Sequence, residues 1–272
     1  MLCRISHRLC FTILWFFRYR TVTIRANNTG HRCTNMRTDK EPDAFIFTEY
    51  DEAIRLNPAS AEVYFNRGFA RASLDQDPSA IADYDAALRV NPNFAEAYFH
   101  RACLKDYLAL REPVIAARHA VLRSAVADFD AVIRLDPNFR YLSDTYYRRG
   151  NAKYNLDQYE AAIADYDEAL RIDPCAAAIL SERKDAEDIL NFYTEGIAGF
   201  DEKIRQNPDD VRTYKIRGET KGFLGRMQEA KADFQKILGL TTDLHIIAEI
   251  ERHLQELDNP DYWQQYSWRT GD

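Results

Sequence analysis

One short segment occurs five times in this chain, and each copy ends in proline. The copies read YDEAIRLNP, YDAALRVNP, FDAVIRLDP, YDEALRIDP and FDEKIRQNP. The terminal prolines are Pro58, Pro92, Pro137, Pro174 and Pro208, at intervals of 34, 45, 37 and 34 residues. Self-similarity at this period indicates stacked supersecondary units, because a single unit of this size cannot bury its own apolar face.

Each period predicts two helices. In the unit that ends at Pro92, a first helix is predicted over 61–74 and a second over 79–90. Pro78 suits the first turn of the second helix, and Pro92 ends that helix. The apolar residues of the second helix follow the i, i+3, i+4, i+7 spacing of one buried face. Only ten glycines and nine prolines in 272 residues also favour long helices.

These positions resemble the tetratricopeptide repeat (TPR), a 34-residue unit with recurring small and aromatic residues. The resemblance implies an all-α fold: a right-handed α-α superhelix, or solenoid, of about five to six helix pairs with a C-terminal capping helix. The repeat positions are filled by Tyr64, Gly68, Ala80, Tyr84, Pro92, Tyr98, Ala102, Ala125, Phe129, Pro137, Tyr146, Gly150, Ala162, Tyr166, Pro174, Tyr214, Gly218, Ala230 and Phe234.

The pattern divides the chain into three regions, 1–38, 39–258 and 259–272. The second region is the solenoid, with expected repeats at 43–58 (partial), 59–92, 93–137, 138–174, 175–208 and 209–242 and a cap over 243–258. The unit at 175–208 is the poorest match, since it keeps only Phe200 and Pro208 clearly.

The unit at 93–137 is eleven residues longer than the regular period (45 − 34 = 11). The extra sequence lies near ALREPVIAARHAV, and eleven residues correspond to about three helical turns. We therefore expect both helices of this unit to extend beyond their neighbours. The extension is interpreted either as a docking spur or as an elongation without a function of its own.

An arginine recurs at position 7 of the repeats, where the family often has leucine. These residues are Arg67, Arg101, Arg149, Arg183 and Arg217. Acidic residues recur beside the aromatic residue of the second helices, for example Asp83, Asp128, Asp165 and Asp233. One hypothesis pairs each arginine with an acid of its own or of a neighbouring second helix. The alternative is a solvent-exposed charged surface, in which such pairs contribute little.

Residues 1–38 differ in charge from the rest of the chain. They contain seven arginines and no acid, so that a net charge of −7 leaves −14 for the remainder (−7 − 7 = −14). An acidic body disfavours nucleic acid as a partner. The apolar run 9–17 is too short to span a bilayer. The segment is compatible with a signal peptide, an organelle transit peptide or a misassigned start.

The sequence contains no catalytic or metal-binding motif. The six histidines form no H-E-x-x-H motif and no Cys/His pair, and there is no phosphate-binding glycine loop. The five cysteines form no C-x-x-C pair, which favours a reducing, cytoplasmic compartment unless the N-terminal segment directs the chain elsewhere. The sequence therefore predicts a non-enzyme without cofactor or metal.

The resemblance implies binding of an extended peptide along the concave surface of the first helices. The residues at the positions that face this surface are Glu62, Phe65, Asn66, Phe69, Glu96, Phe99, His100, Cys103, Asp106, Tyr107, Asp144, Tyr147, Arg148, Asn151, Tyr154 and Asn155. Aromatic residues would supply apolar contact, asparagine would bond a peptide backbone, and the acids would favour basic ligands. The alternative is that these are merely half-exposed helix residues.

A chaperone-binding carboxylate clamp, known in some members of this family, is not assembled. Asn66 matches its middle position, but Glu96 and His100 stand where the family has lysine and arginine.

The predicted function is a protein–protein interaction scaffold or adaptor for a basic or aromatic/aliphatic peptide or protein. The alternatives are a structural subunit docked through the 105–122 insertion or the cap, and a regulatory module of an enzyme complex. The tail residues Tyr262, Trp263, Tyr266 and Trp268 are expected to fold back on the cap, or else to form a contact site.

Overall fold

The structure, a computed structural model, describes residues 42–263, and all its regular elements are helices. The all-α fold is thereby confirmed. The basic segment at 1–38 and the tail residues Tyr266 and Trp268 lie outside the described residues. The chain forms two compact units, one ending at Asn91 and the other beginning at Pro92, and each is described by itself.

The first unit contains three described helices, α1 (Pro42–Leu56), α2 (Ala61–Ala72) and α3 (Asp77–Val90). Helices α2 and α3 form a closely packed pair, against which α1 packs through α2. Pro78 lies in the first turn of α3, as predicted.

The second unit continues the same arrangement. Its helices are α4 (Ala95–Ala109), α5 (Ile115–Leu135), α6 (Leu142–Asn155), α7 (Tyr159–Ile172), α8 (Ala177–Gln206), α9 (Val211–Phe223), α10 (Met227–Leu238), α11 (Leu244–Gln255) and α12 (Pro260–Trp263). From α4 to α11, each helix packs against the next in the sequence, which is the packing of an α-α solenoid.

Close approach within a pair depends on a small residue in the first helix. A Cβ atom added to Gly150 would lie 2.7 Å from the ring of Tyr166, and one added to Gly218 would lie 2.6 Å from the ring of Phe234. Both rings are completely buried. The repeated pattern of a small residue in one helix and an aromatic residue in the next therefore brings the two helices together.

The turn between the paired helices places one residue in the left-handed region. The residue is Asp75 (φ 56°) in α2–α3, Asp157 (φ 58°) in α6–α7 and Gly225 (φ 76°) in α9–α10. All three stand at position 15 of their repeats. Aspartate and glycine tolerate this conformation better than other residues, which explains how the chain reverses there.

The expected elongation of the inserted unit is found mainly in its second helix, since α5 is seven residues longer than α7 whereas α4 is one residue longer than α6. Helices α4 and α5 have 15 and 21 residues, whereas α6 and α7 have 14 each. Leu110, Val114 and Ile115, at the tip between α4 and α5, are more than half exposed.

The prediction of a helix pair over 175–208 is wrong. Residues 177–206 form one continuous helix, α8, of 30 residues. Lys184 occupies position 8, where other repeats have glycine or alanine, so a second helix cannot approach there. Asn191, at position 15, stays helical, and no proline interrupts the segment.

The cap forms as predicted. Asp243 stands at the N-cap of α11, and its side chain accepts hydrogen bonds from the backbone of His245 and Ile246. Trp263 in α12 is buried, with 1% of its surface exposed, and its indole stacks on Phe234 at 5.7 Å. Its ring also lies 5.5 Å from His253 of α11, so the start of the tail folds back on the cap and on α10, as expected.

Candidate interaction surface on the first helices

The recurring arginines are bound to aspartates, which confirms the pairing hypothesis. Arg149 donates to both carboxylate oxygens of Asp165 in its own pair, at 2.9 and 2.5 Å, and to Asp130 of the preceding second helix at 2.5 Å. Its guanidinium also lies 5.3 Å from the ring centre of Tyr146. The equivalent pairs are Arg67 with Asp83 and Asp51, Arg217 with Asp233 and Asp201, Arg101 with Asp128, and Arg183 with Asp167.

A second cation completes each regular cluster. Lys153, one turn after Arg149, lies 2.8 Å from Asp165, whose side chain is only 5% exposed. The residues in the same position elsewhere are Arg71, Lys105 and Lys221. These clusters join the helices of the solenoid, so their arginines and aspartates serve the fold rather than an external ligand.

In the first unit, the predicted groove residues all lie on α2. Glu62 and Asn66 are exposed, while Phe65 and Phe69 are half-buried. The Phe65 ring lies 5.8 Å from Tyr84, so this aromatic residue is partly used in helix packing.

In the second unit, Phe99 is not available to a ligand, which corrects its assignment to the groove. Its side chain is completely buried, with ring centres of Phe139 at 5.3 Å and Tyr141 at 5.4 Å. The period that ends at Pro174 is three residues longer than the regular one (37 − 34 = 3), and the linker 136–141 before α6 supplies these two rings. Tyr107, in contrast, is 41% exposed.

On α6, the predicted residues are partly engaged in packing. The Tyr147 ring lies 6.2 Å from Tyr166, and the Tyr154 ring meets Tyr159 edge-on at 5.6 Å. The side-chain oxygen of Asn151 accepts a hydrogen bond from the Tyr166 hydroxyl at 2.7 Å. For peptide recognition, Asn151 therefore has its amide NH₂ group to offer.

A group of polar residues lies between α4 and α6, on the face that the arginine–aspartate clusters leave open. We call it the α4–α6 polar cluster, and its members are His100, Cys103, Asp106, Asp144 and Arg148. All five are half-buried, and Arg148 donates to Asp144 at 2.8 Å. The cluster thus combines two carboxylates with one guanidinium in a poorly hydrated place.

The protein environment changes the protonation of two members of this cluster. Desolvation, aided by the positive charge of Arg148, lowers the pKa of His100 to about 4. Desolvation also raises the pKa of the Cys103 thiol to about 12, with further contributions from Asp144 and Asp106. At neutral pH the imidazole and the thiol are both uncharged, which leaves the α4–α6 polar cluster with one excess negative charge.

The sequence indicated the α4–α5 insertion as a possible docking spur but did not predict which of its residues are exposed. Leu110, Val114 and Ile115 are 53%, 58% and 57% exposed. Their apolar character was visible in the sequence, but their exposure depends on where α4 ends. Among residues 42–263, no helix is both long and apolar enough to cross a bilayer.

The comparisons with known proteins agree with this architecture. Residues 143–174, which contain α6 and α7, match the family model of the tetratricopeptide repeat. The same framework of small residue, buried aromatic residue and arginine–aspartate cluster recurs in α2–α3, α4–α5 and α9–α10, so these helix pairs resemble the repeat that the model matches at 143–174. No curated protein sequence matches the chain.

Solved structures of TPR proteins are similar at low identity. YrrB, described as a TPR protein with an unusual peptide-binding site, is 18% identical, with 75% of this chain and 97% of that chain covered and a TM-score of 0.44. The OM64 TPR domain from Arabidopsis is 24% identical, with 47% and 95% covered and a TM-score of 0.40. The first TPR of Spaghetti (RPAP3), bound to the HSP90 peptide SRMEEVD, is 23% identical, with 48% and 94% covered and a TM-score of 0.41.

Proposed function

We propose that this protein is a non-catalytic interaction scaffold that binds a basic segment of a partner protein across α4 and α6. The observation that carries the proposal is the α4–α6 polar cluster. Its charged side chains lie on the first-helix face and outside the arginine–aspartate clusters that hold the helices together. Free thiols at Cys103 and Cys175 agree with action in a reducing, cytoplasm-like compartment.

The charge of the cluster favours a cationic ligand. Asp106 and Asp144 contribute two negative charges, and Arg148 supplies one positive charge. In a desolvated place a charge is weakly screened, so a lysine or arginine side chain of the ligand would gain more there than on an open surface. Tyr107, which is 41% exposed, and the half-buried Tyr147 lie on the same two helices and would offer apolar contact to the rest of the ligand.

The low pKa of His100 adds to this preference. Because its imidazole is neutral above about pH 4, it does not repel a basic ligand at neutral pH. It can instead donate or accept one hydrogen bond. His100 stands at a position where a chaperone clamp needs a cation. Because its imidazole is neutral, it is unsuited to binding a carboxylate ligand.

The test measures the binding of two sets of fluorescent peptides of equal length. The two sets have the same sequences except that one carries lysine where the other carries glutamate. We expect the full chain to prefer the lysine peptides, and we expect the variant Asp106→Asn/Asp144→Asn to lose that preference. Glu195→Gln, which removes an exposed charge from α8, is the matched control and should bind like the unsubstituted chain. Equal binding of both peptide sets by the unsubstituted chain would contradict the proposal.

The exposed apolar tip of the α4–α5 insertion favours a second candidate function, permanent docking to a larger complex. Three apolar side chains that are each more than half exposed form a surface suited to a protein partner. Leu110→Asp/Ile115→Asp should then abolish assembly while Asp106→Asn/Asp144→Asn leaves it intact. The reverse result would assign the interaction to the α4–α6 polar cluster.

A further inference from the structure

Two carboxylates and a histidine meet between α9 and the cap helix α11. Glu219 lies on α9, while Glu249 and His253 lie one turn apart on the same face of α11. One potential ligand atom from each of the three residues lies within 4.8 Å of the other two. Among the described residues, this group satisfies the distance requirement for a metal site.

The imidazole of His253 is held in place from all sides. Its side chain is completely buried, and its ring lies 4.9 Å from Phe234 and 5.5 Å from Trp263. Nδ1 is 2.8 Å from the hydroxyl of Tyr262, and Nε2 is 3.3 Å from a carboxylate oxygen of Glu219. The ring is therefore oriented with Nε2 toward the carboxylates.

The Tyr262 contact is the kind of support that metal-binding histidines have. When Nδ1 donates its proton to the tyrosine oxygen, the lone pair of the neutral ring is on Nε2, where a metal would bind. The remaining groups are accessible from one side, since the Glu249 side chain is 29% exposed and that of Glu219 is 14% exposed. A metal ion thus has both a fixed ligand and a route of entry.

The distances suit a small tetrahedral ion. Metal–ligand bonds of about 2.0–2.2 Å place neighbouring ligands of a tetrahedral Zn²⁺ roughly 3.3–3.6 Å apart. The observed separation of 3.3 Å between Nε2 and Glu219 falls in this range. The third ligand atom, at no more than 4.8 Å, would have to move by about 1 Å, which the partly exposed side chain of Glu249 can do.

The chemistry of the ligand set points to the same class of ion. An imidazole nitrogen is a preferred ligand of zinc and neighbouring transition metals, whereas magnesium and calcium prefer oxygen ligands alone. Three protein ligands leave a fourth position for water. Lys215 competes for the site, because its ammonium group lies 2.7 Å from the Glu249 carboxylate.

We propose that Glu219, Glu249 and His253 bind a divalent transition-metal ion, with Zn²⁺ as the best match. The ion would join α9 to α11 through Glu219 and His253, which are one repeat period apart (253 − 219 = 34), and so fasten the cap to the last helix pair. Since Trp263 and Tyr262 contact the same histidine, binding would also fix the start of the tail.

The experiment titrates Zn²⁺ into the full chain after removal of metal with a chelator, and follows both affinity and melting temperature. We expect the melting temperature to rise, and we expect Glu219→Gln and Glu249→Gln each to weaken binding at least tenfold. His245→Gln, on the same helix and exposed, is the matched control and should bind zinc like the unsubstituted chain. Mg²⁺ in place of Zn²⁺ should give no shift.

A further variant keeps the proposal testable even if the glutamine variants do not fold. Lys215→Met removes the competing cation at a partly exposed position, so it should strengthen zinc binding. The proposal is overturned if zinc leaves the melting temperature of the unsubstituted chain unchanged. It is also overturned if both glutamine variants, shown to be folded by circular dichroism, bind zinc as tightly as the unsubstituted chain does. A Lys215→Met variant that does not bind zinc more strongly would overturn it too.

Discussion

The segments 143–172 and 177–206 begin from the same repeat pattern and end in different structures. The first folds into the pair α6–α7, and the second remains a single helix, α8. Both keep the position 7 arginine, Arg149 in one and Arg183 in the other. The retained arginine alone therefore does not specify a helix pair.

The difference lies in the residues around that arginine. In α6–α7 it is accompanied by Tyr146, Gly150, Lys153 and Asp165, which stack on it, admit the second helix and form the buried ion cluster. The residues at the same positions of α8 are Leu180, Lys184, Glu187 and Gly199. A helix pair thus requires several positions together, because each contact depends on the second helix being present.

The largest expected difference concerns the buried aromatic residue. Tyr166→Ala should lower the free energy of unfolding by about 3–5 kcal/mol, because it removes a completely buried ring from the interior of the pair. Phe200→Ala, at the same repeat position of the half-buried face of α8, should lower it by less than about 2 kcal/mol. Urea denaturation of both variants would measure the difference. Equal losses of unfolding free energy would contradict the distinction between the two segments.

The buried aspartate provides the next test. Asp165→Ala leaves Arg149 and Lys153, both mostly buried, without their shared partner, and should destabilise the protein by about 3 kcal/mol. Asp167→Ala removes a carboxylate that is 53% exposed and should change stability by no more than about 1 kcal/mol. A loss of similar size in the two variants would show that the burial of the cluster is unimportant.

The same substitution should have opposite signs in the two segments. Gly150→Ala should destabilise the protein by roughly 1–3 kcal/mol, because the new methyl group would lie 2.7 Å from the Tyr166 ring. Gly199→Ala should stabilise it by about 0.5–1 kcal/mol, since no neighbour lies within 4 Å and alanine is the better helix former. Thermal unfolding of the two variants is sufficient to determine both signs.

The smallest expected effect concerns the chemical reactivity of two cysteine thiols and involves no change in the stability of the protein. Cys103 on α4 lies against α6, and burial raises its pKa to about 12, so its thiol stays protonated at neutral pH. Cys175, just before α8, is exposed. Iodoacetamide at pH 8 should therefore modify Cys175 much faster than Cys103, as followed by mass spectrometry of the digested chain. Faster modification of Cys103 would contradict the packing of α4 against α6.

The sequence predicted the helix pairs well because their signals are local. Small and aromatic residues at fixed spacing specify each pair, terminal prolines end most second helices, and position 15 supplies the turn in α2–α3, α6–α7 and α9–α10. The prediction was wrong for α8, where the segment FDEKI suggested a second helix although Asn191, at the turn position, stays helical. The open face was also predicted incompletely, since Phe99 is covered by Phe139 and Tyr141 from a longer linker.

The sequence by itself determined the helical period and the proline stops, and it limited the partners of the position 7 arginines to the acids of their own and neighbouring second helices, because these follow from spacing along one or two neighbouring helices. Only the tertiary structure decided which first-helix side chains remain accessible and which polar residues share a site. The α4–α6 polar cluster and the group of Glu219, Glu249 and His253 each draw on two helices that are not consecutive in the chain. Their meeting depends on how helix pairs stack, which periodicity within one helix does not encode.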